Sequence, residues 1–570
     1  MPRKGGRKSR AKHGLQGSFW TFVAHLPFLA FGLVIASVAL LMATQVASRS
    51  TGMIRDFQKI SDTEGNFLEV LDDGDEFGIG VDAIGDLDND GVTDFVVGAW
   101  EDDDGGVNFG AVYILFMNSD GTVRASQKIS MTTGGFTGPI DGADNFGFNV
   151  SGIGDLDGDD VPDIAVGERG NDDGGTNRGA LYILFLNTDG TVKAEQRISD
   201  TEGGFLGVLD DLELFGECVE RIDDYNGDLV DDLVVCASQD DDGGTDRGAF
   251  WILHMNTDGT VAGFDKVSQT SGLTTLLDDG DRFGKSFTVI PDVDGNGVDD
   301  WAVGVSLDDD GGNARGAVYL LFMDSDGSIM SEVKISDLTS GFSGALSDDD
   351  RFGSSIAAIE DLDGDGIAEL LVGSWLDDDG GSNRGAFYII FLNADGSVKR
   401  YQKVSDTEGD FTGVLDNEDS ISVAGLSSIG DFNRDGAPDV VVSAFQDDDG
   451  GVDRGAIWIM YLEALVSGGR NYVFPRNVAL SINDGALCTT TRNVTLTLQA
   501  YDATRVVVGQ DAGFINRDFT EFDGPVEQRD WVLSEGAGTK LVYALFQSRT
   551  HELSGLQVAE ITYDPVGGCR

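Results

Sequence analysis

Six copies of one acidic phrase punctuate this 570-residue chain, beginning at Asp86, Asp155, Asp224, Asp292, Asp361 and Asp431. The step between copies is about 69 residues, the scale of a repeat architecture. Side-chain oxygens stand at positions 1, 3, 5 and 9 of each phrase. They are Asp86, Asp88, Asp90 and Asp94 in the first copy, Asp155, Asp157, Asp159 and Asp163 in the second, and Asp224, Asn226, Asp228 and Asp232 in the third. The fourth offers Asp292, Asp294, Asn296 and Asp300, the fifth Asp361, Asp363, Asp365 and Glu369, and the sixth Asp431, Asn433, Asp435 and Asp439. Position 7 is apolar (Val92, Val161, Val230, Val298, Ile367, Ala437), so it can ligate only through its carbonyl while its side chain anchors the loop. Oxygen ligands at alternate positions of a glycine-containing loop, closed by a carboxylate, suit a hard cation such as Ca2+. Up to six calcium ions are expected. Two carboxylates about 5 Å apart repel by roughly 3 kcal/mol at an effective dielectric near 20, so an empty loop strains its surroundings and a bound dication reverses the sign. The turn glycine (Gly91, Gly297, Gly366, Gly436) becomes Asp160 in the second copy and Leu229 in the third. Leucine tolerates left-handed geometry poorly, which makes the third loop the weakest expected binder.

The loops must be held by elements that repeat with them. Upstream of each lies a Phe-Gly pair, at Phe77, Phe146, Phe215, Phe283 and Phe352, replaced by Ile421-Ser422 in the sixth copy. Downstream come a short apolar run, an Asp-Asp-Gly-Gly turn, an alternating run opened by Gly-Ala, an Asp-Gly turn and a Gln-Lys-Ile-Ser element. These read as four strands joined by turns. Four antiparallel strands, six times over, predict an all-β fold in which the repeats are blades of a closed β-propeller. A Gln-Lys-Ile-Ser element at Gln58–Ser61 precedes the first blade, and the last blade ends at Leu462 without one, so the N-terminal strand can complete the last blade.

Phe-Gly, the Asp-rich loop and Gly-Ala, in this order and spacing, resemble the FG-GAP repeats of the integrin α-subunit head over residues 54–465. The resemblance implies a β-propeller whose loop positions ligate calcium. That family's propeller usually has seven blades. Six copies are counted here, so the ring has six blades, or seven if flanking sequence supplies a degenerate one. Ala479 to Phe546 resembles the immunoglobulin-like modules of exported bacterial surface proteins, which implies a small β-sandwich over 471–570.

The N-terminus carries an address. A basic stretch over 1–18 precedes the uncharged run of 19–43, interrupted only by His25, which reads as a hydrophobic helix: a cleaved signal or a retained membrane anchor. Under either reading the basic flank stays cytoplasmic and the propeller over 51–465 is exported. Cys218 and Cys236 replace small residues on paired strands of one blade, and Cys488 and Cys569 flank the C-terminal region; both pairs are disulfide candidates, with buried thiols the alternative.

The formal net charge is −62. Six dications would leave it near −50, a field that repels nucleic acid and anionic lipid. A second acidic series, Asp102-Asp103-Asp104 and its copies at Asp172, Asp240, Asp308, Asp377 and Asp447, supplies much of this charge, as hydrated turns or as further cation sites. Four histidines, two of them before or within the hydrophobic run, give catalysis little support, and no nucleophile elbow, zinc motif or phosphate loop is present. Three functions stay open: an exported calcium-binding propeller that binds a protein or glycan at the cell surface, as the integrin-like resemblance implies; a surface or matrix component without a specific ligand; and a polysaccharide hydrolase or lyase on a propeller scaffold.

Overall fold

A computed structural model describes residues 51–463 apart from 141, 143 and 343–345, and then 476–483, 488–501, 503–509, 520–521, 526–534, 537–548 and 557–563. The expected N-terminal helix lies outside these residues. Every regular element described is a β-strand.

Six four-stranded antiparallel sheets follow one another along the chain. Blade 6 takes its outer strand, β1 (Ile54–Ser61), from the start of the described chain. Blade 1 is β2 (Phe77–Gly85), β3 (Asp94–Ala99), β4 (Ala111–Met117) and β5 (Val123–Ile129); blade 2 is β6 (Phe146–Gly154), β7 (Asp163–Glu168), β8 (Ala180–Leu186) and β9 (Val192–Ser199). Blade 3 is β10 (Val219–Ile222), β11 (Asp232–Ala237), β12 (Ala249–Met255) and β13 (Val261–Ser268); blade 4 is β14 (Phe283–Ile290), β15 (Asp300–Val305), β16 (Ala317–Met323) and β17 (Ile329–Ser336). Blade 5 is β18 (Ile356–Ile359), β19 (Glu369–Ser374), β20 (Ala386–Leu392) and β21 (Val398–Ser405), and β22 (Leu426–Ser428), β23 (Val440–Ala444) and β24 (Ala456–Leu462) complete blade 6.

The ring closes in two ways. The first strand pairs with the last, from Ile54 opposite Leu462 to Ser61 opposite Ala456. Blade 6 also packs on blade 1, through β22 and β23 against β2. Six apolar clusters fill the six seams between neighbouring blades, for example Leu115 and Val97 of blade 1 with Ile457 and Ile459 of blade 6. Six blades therefore suffice for closure among the described residues.

The Phe-Gly and Gly-Ala landmarks are two halves of one contact. A Cβ on Gly284 (φ +83°) would meet the carbonyl oxygen of Ala249 in the preceding blade at 2.5 Å, and one on Gly248 would meet that of Phe283 at 2.0 Å. Backbone meets backbone across the seam, and glycine leaves the space in blades 1 to 5. Blade 6 solves the same problem differently: Ser422, at φ +67°, donates its hydroxyl to the Ala386 carbonyl at 2.7 Å.

Beyond the propeller, β25 (Arg476–Ile482), β27 (Asn493–Tyr501) and β30 (Val526–Val532) form one sheet. β26 (Cys488–Thr489), β28 (Ala503–Gly509), β29 (Thr520–Glu521), β31 (Gly538–Ser548) and β32 (Gln557–Tyr563) form another, with β26 parallel to β32. Leu496 and Leu498 of the first share a core with Val506, Val542 and Ile561 of the second, the arrangement of a small sandwich. Cys218 and Cys236 are joined, Cα atoms 4.9 Å apart, tying β11 to the segment before β10. Cys488 is disulfide-bonded as well; Cys569 lies outside the described residues.

Candidate metal centres

Each acidic loop joins the first two strands of a blade, and position 9 opens the second strand in blades 1 to 5 and immediately precedes it in blade 6. In blade 1 Asp94 is fully buried there; its Oδ1 accepts the N–H of Met117 at 2.9 Å and its Oδ2 that of Leu87 at 3.0 Å. Met117 sits at a bulge in the β4–β5 ladder, and the same bulge closes the third strand of blades 2 to 5, so a backbone irregularity supplies the donor that fixes the carboxylate. Position 1 organises the loop tip: Asp86 takes the N–H groups of Asp90 and Gly91, both at 2.8 Å. Asp155, Asp224, Asp292, Asp361 and Asp431 accept the equivalent bonds. Position 7 turns inward as expected, Val92, Val161, Val230, Val298 and Ile367 packing against the seam clusters.

This leaves position 3 pointing at the loop centre. Asp88 Oδ1, Asp157 Oδ1, Asp363 Oδ1 and Asn433 Oδ1 are buried and accept no hydrogen bond. A buried acceptor without a donor is costly unless a cation faces it. Carboxylate oxygens of Asp86, Asp88 and Asp90 lie within 4.8 Å of one another, as do those of Asp155, Asp157 and Asp163, of Asp292, Asp294 and Asp300, and of Asp361, Asp363 and Glu369. Hard oxygen donors converging on an unpartnered position fit a divalent cation. Burial raises the position-9 acids, Asp94 to about 6, Asp163 to about 7, and Glu369 and Asp439 to about 8.

A basic residue that loop spacing does not reveal reaches four of the six loops, the first, second, fifth and sixth. Three positions after the glycine of the Asp-Gly turn, the outer strand of blades 1, 2 and 5 carries Arg124, Lys193 and Lys399, and β1 carries Arg55. Lys399 Nζ bridges Asp363 Oδ2 at 2.8 Å and Asp365 Oδ2 at 2.7 Å; Lys193 does the same for Asp157 and Asp159; Arg124 meets Asp88 and Asp90; Arg55 reaches Asp435 at 2.5 Å. In loops 1, 2 and 5 the base holds Oδ2 of the position-3 carboxylate and leaves its Oδ1 without a donor, an orienting role of the kind outer partners play at metal sites, whereas Arg55 holds position 5 of loop 6. Blades 3 and 4 have Ala262 and Met330 instead. The third loop is further compromised, because Asn226 turns its amide onto Asp228 and its oxygen accepts the Asp228 N–H. Leu229 sits at φ +74°, 92% exposed.

The second acidic series is a hydrated turn only at its middle aspartate, which is exposed in every copy. Its first aspartate is buried and held by the lysine of the Gln-Lys-Ile-Ser element: Lys128 bridges Asp102 and Asp104 at 2.7 and 2.8 Å, Lys403 bridges Asp377 and Asp379 at 2.7 Å, and Lys59 of β1 bridges Asp447 and Asp449. Lys266 and Lys334 serve blades 3 and 4. The ammonium also lies over an aromatic ring, as Lys128 does over Tyr113 at 5.5 Å. Blade 2 varies all the parts together: Arg197 replaces lysine, Asn171 replaces the first aspartate, and buried Glu168 supplies the missing charge at 3.3 Å.

An FG-GAP repeat family model matches residues 352–390, which include the Phe352-Gly353 pair and the whole fifth loop. The chain is similar to integrin α subunits: 36% identical over 96 residues to integrin alpha-2 of Mus musculus, 32% over 142 residues to integrin alpha-7 of Rattus norvegicus, and 31% over 173 residues to integrin alpha-3 of Cricetulus griseus. These matches take in 16%, 25% and 30% of this chain and 8%, 11% and 15% of those relatives. With six four-stranded sheets closed into a ring, the chain is an all-β repeat protein of propeller type that carries a matched FG-GAP repeat and is similar to integrin α subunits.

Proposed function

We propose that this protein is an exported, calcium-stabilised propeller that binds a protein or glycan ligand at the cell surface. The observation that carries the reading is the convergence of ligand oxygens, with an unpartnered one at position 3, in loops of a scaffold similar to integrin α subunits. In this reading calcium is structural. It neutralises carboxylates at the mouths of the seams and fixes the loop face, and ligand recognition falls to whatever departs from the repeat. Residues 51–465 form the propeller and 471–570 the sandwich, which acts as a spacer. Residues 1–18 stay in the cytoplasm, and 19–43 are the signal or anchor that places everything after them outside. No catalytic step belongs to the reading, since the carboxylate pairs recur with the repeat whereas an active site is normally unique.

Protease added to intact cells tests the export. It should digest the propeller or find it already secreted, and full protection until lysis would reverse the topology. Capture of one defined surface ligand by the full chain in calcium, lost in chelator, would separate a binder from a ligand-free matrix component.

A further inference from the structure

Six repeats of one design act as controls for one another, so departures mark what the scaffold alone does not require. One group of them meets at the seam between blades 3 and 4, around a cavity of about 470 Å3. Where other blades place Leu87, Leu156, Val293, Leu362 or Phe432 after the first loop aspartate, blade 3 has Tyr225. Where they place Phe95, Ile164, Leu233, Leu370 or Val440 in the second strand, blade 4 has Trp301. The two rings lie 5.9 Å apart, and the Tyr225 hydroxyl donates to the Gly327 carbonyl at 3.0 Å, which ties the aromatic wall to the turn that closes the cavity. The rim departs too. Asp223 stands where three blades have glycine, Asp299 where four have Thr93, Pro162, Ala368 or Pro438, and Asp324 where four have asparagine. All five residues line the cavity.

Charge compensation there is incomplete. Arg221, another departure, is bound by Asp231 at 2.6 Å and lies 3.8 Å from Asp223. Asp299 and Asp324 are exposed and enter no ion pair among the described residues. In the same loop as Tyr225, Leu229 offers an almost fully exposed apolar side chain in a backbone conformation that leucine disfavours.

We propose that this seam cavity receives a basic side chain, the ammonium of a lysine or the guanidinium of an arginine, presented by a partner protein. Aromatic faces attract cations, the rim carboxylates pair with them, and Leu229 meets the apolar surface around the incoming residue. A neutral sugar would use the rings but leave the added carboxylates without a counter-charge. The proposal rests on the ligand-binding reading above and gives that ligand a chemistry and a place.

The test is calorimetric titration of N-acetyl-lysine methylamide and N-acetyl-arginine methylamide into the full chain, at saturating calcium and low ionic strength, with N-acetyl-norleucine methylamide and galactose as neutral controls. Tyr225→Leu, Trp301→Leu and Asp324→Asn each install the residue type that other blades carry, so the fold should hold, and a melt verifies it. Saturable binding of a basic probe is expected, weakened roughly tenfold by Tyr225→Leu or Asp324→Asn and screened by salt. Absent binding, equal affinity in folded variants, or preference for galactose would overturn the proposal. Should Tyr225→Leu keep its cell-surface ligand while the probes fail to bind, the cavity is excluded and the ligand-binding reading stands.

Discussion

At the scale of single residues, the loops show how far a ligand pattern can be read and where it stops. That positions 1, 3, 5 and 9 share one loop was legible because their spacing is local and occurs six times; their ligation of calcium is the proposal. The outward bases Arg124, Lys193, Lys399 and Arg55 were not, because each reaches its loop only after the chain has crossed two strands or, for Arg55, closed the ring. Loop 3 lacks both the base and a free position-3 oxygen. Asp224→Ala should therefore reduce the calcium-dependent rise in melting temperature less than Asp86→Ala or Asp361→Ala. An equal or larger loss at Asp224 would refute that ranking. The lysine latches give a second residue-scale expectation. Lys403 is 10% exposed and Asp377 3% by side chain, so Lys403→Met should destabilise the fold by about 3 kcal/mol by stranding a buried charge, and adding Asp377→Asn should recover most of it. Additive losses in chemical denaturation would show that the pair is not coupled.

At the scale of elements, strands and turns followed from alternation and from Asp-Gly signals, and the closing strand from the phase of the repeats. Reciprocal packing of Phe-Gly on Gly-Ala needed the fold, since the two motifs meet only between neighbouring blades. Gly284→Ala should cost about 1–3 kcal/mol, because a Cβ must displace a backbone oxygen at a left-handed φ. An unchanged denaturation midpoint would mean that the seam yields. A row of buried acids two residues before the Phe-Gly site adds a pH dependence. Burial raises Asp75, Asp350 and Asp419 to about 7, Glu213 to about 8 and Asp281 to about 6. Their folded pKa values exceed the unfolded ones, so between about pH 4 and pH 7 the folded state holds protons that the unfolded chain has lost, and stability falls as pH rises through that window. In chelator the melting temperature should be higher near pH 5 than near pH 8. The reverse order would mean that these carboxyls are ionised in the fold.

At the scale of the whole molecule, the cavity between blades 3 and 4 escaped sequence reading because its aromatic and acidic residues come from different repeats and each alone resembles a neutral substitution. Charge, in contrast, was visible at once. A formal −62, about −50 with six dications bound, is screened within roughly 3 Å at 1 M salt and acts over about 30 Å at 0.01 M. Stability should rise with sodium chloride at saturating calcium, and a flat or falling series would show that the acidity is locally compensated, as the second acidic series is in part by one lysine to each pair of aspartates. The central claim, that the loops hold calcium and that calcium holds the propeller, is tested most directly by calorimetric titration of calcium into the chelator-stripped full chain, paired with melts of the stripped and loaded forms. The account expects at least four equivalents bound, one for each loop whose carboxylates converge, and a melting temperature several degrees higher when loaded. No bound calcium and superimposable melts would contradict it.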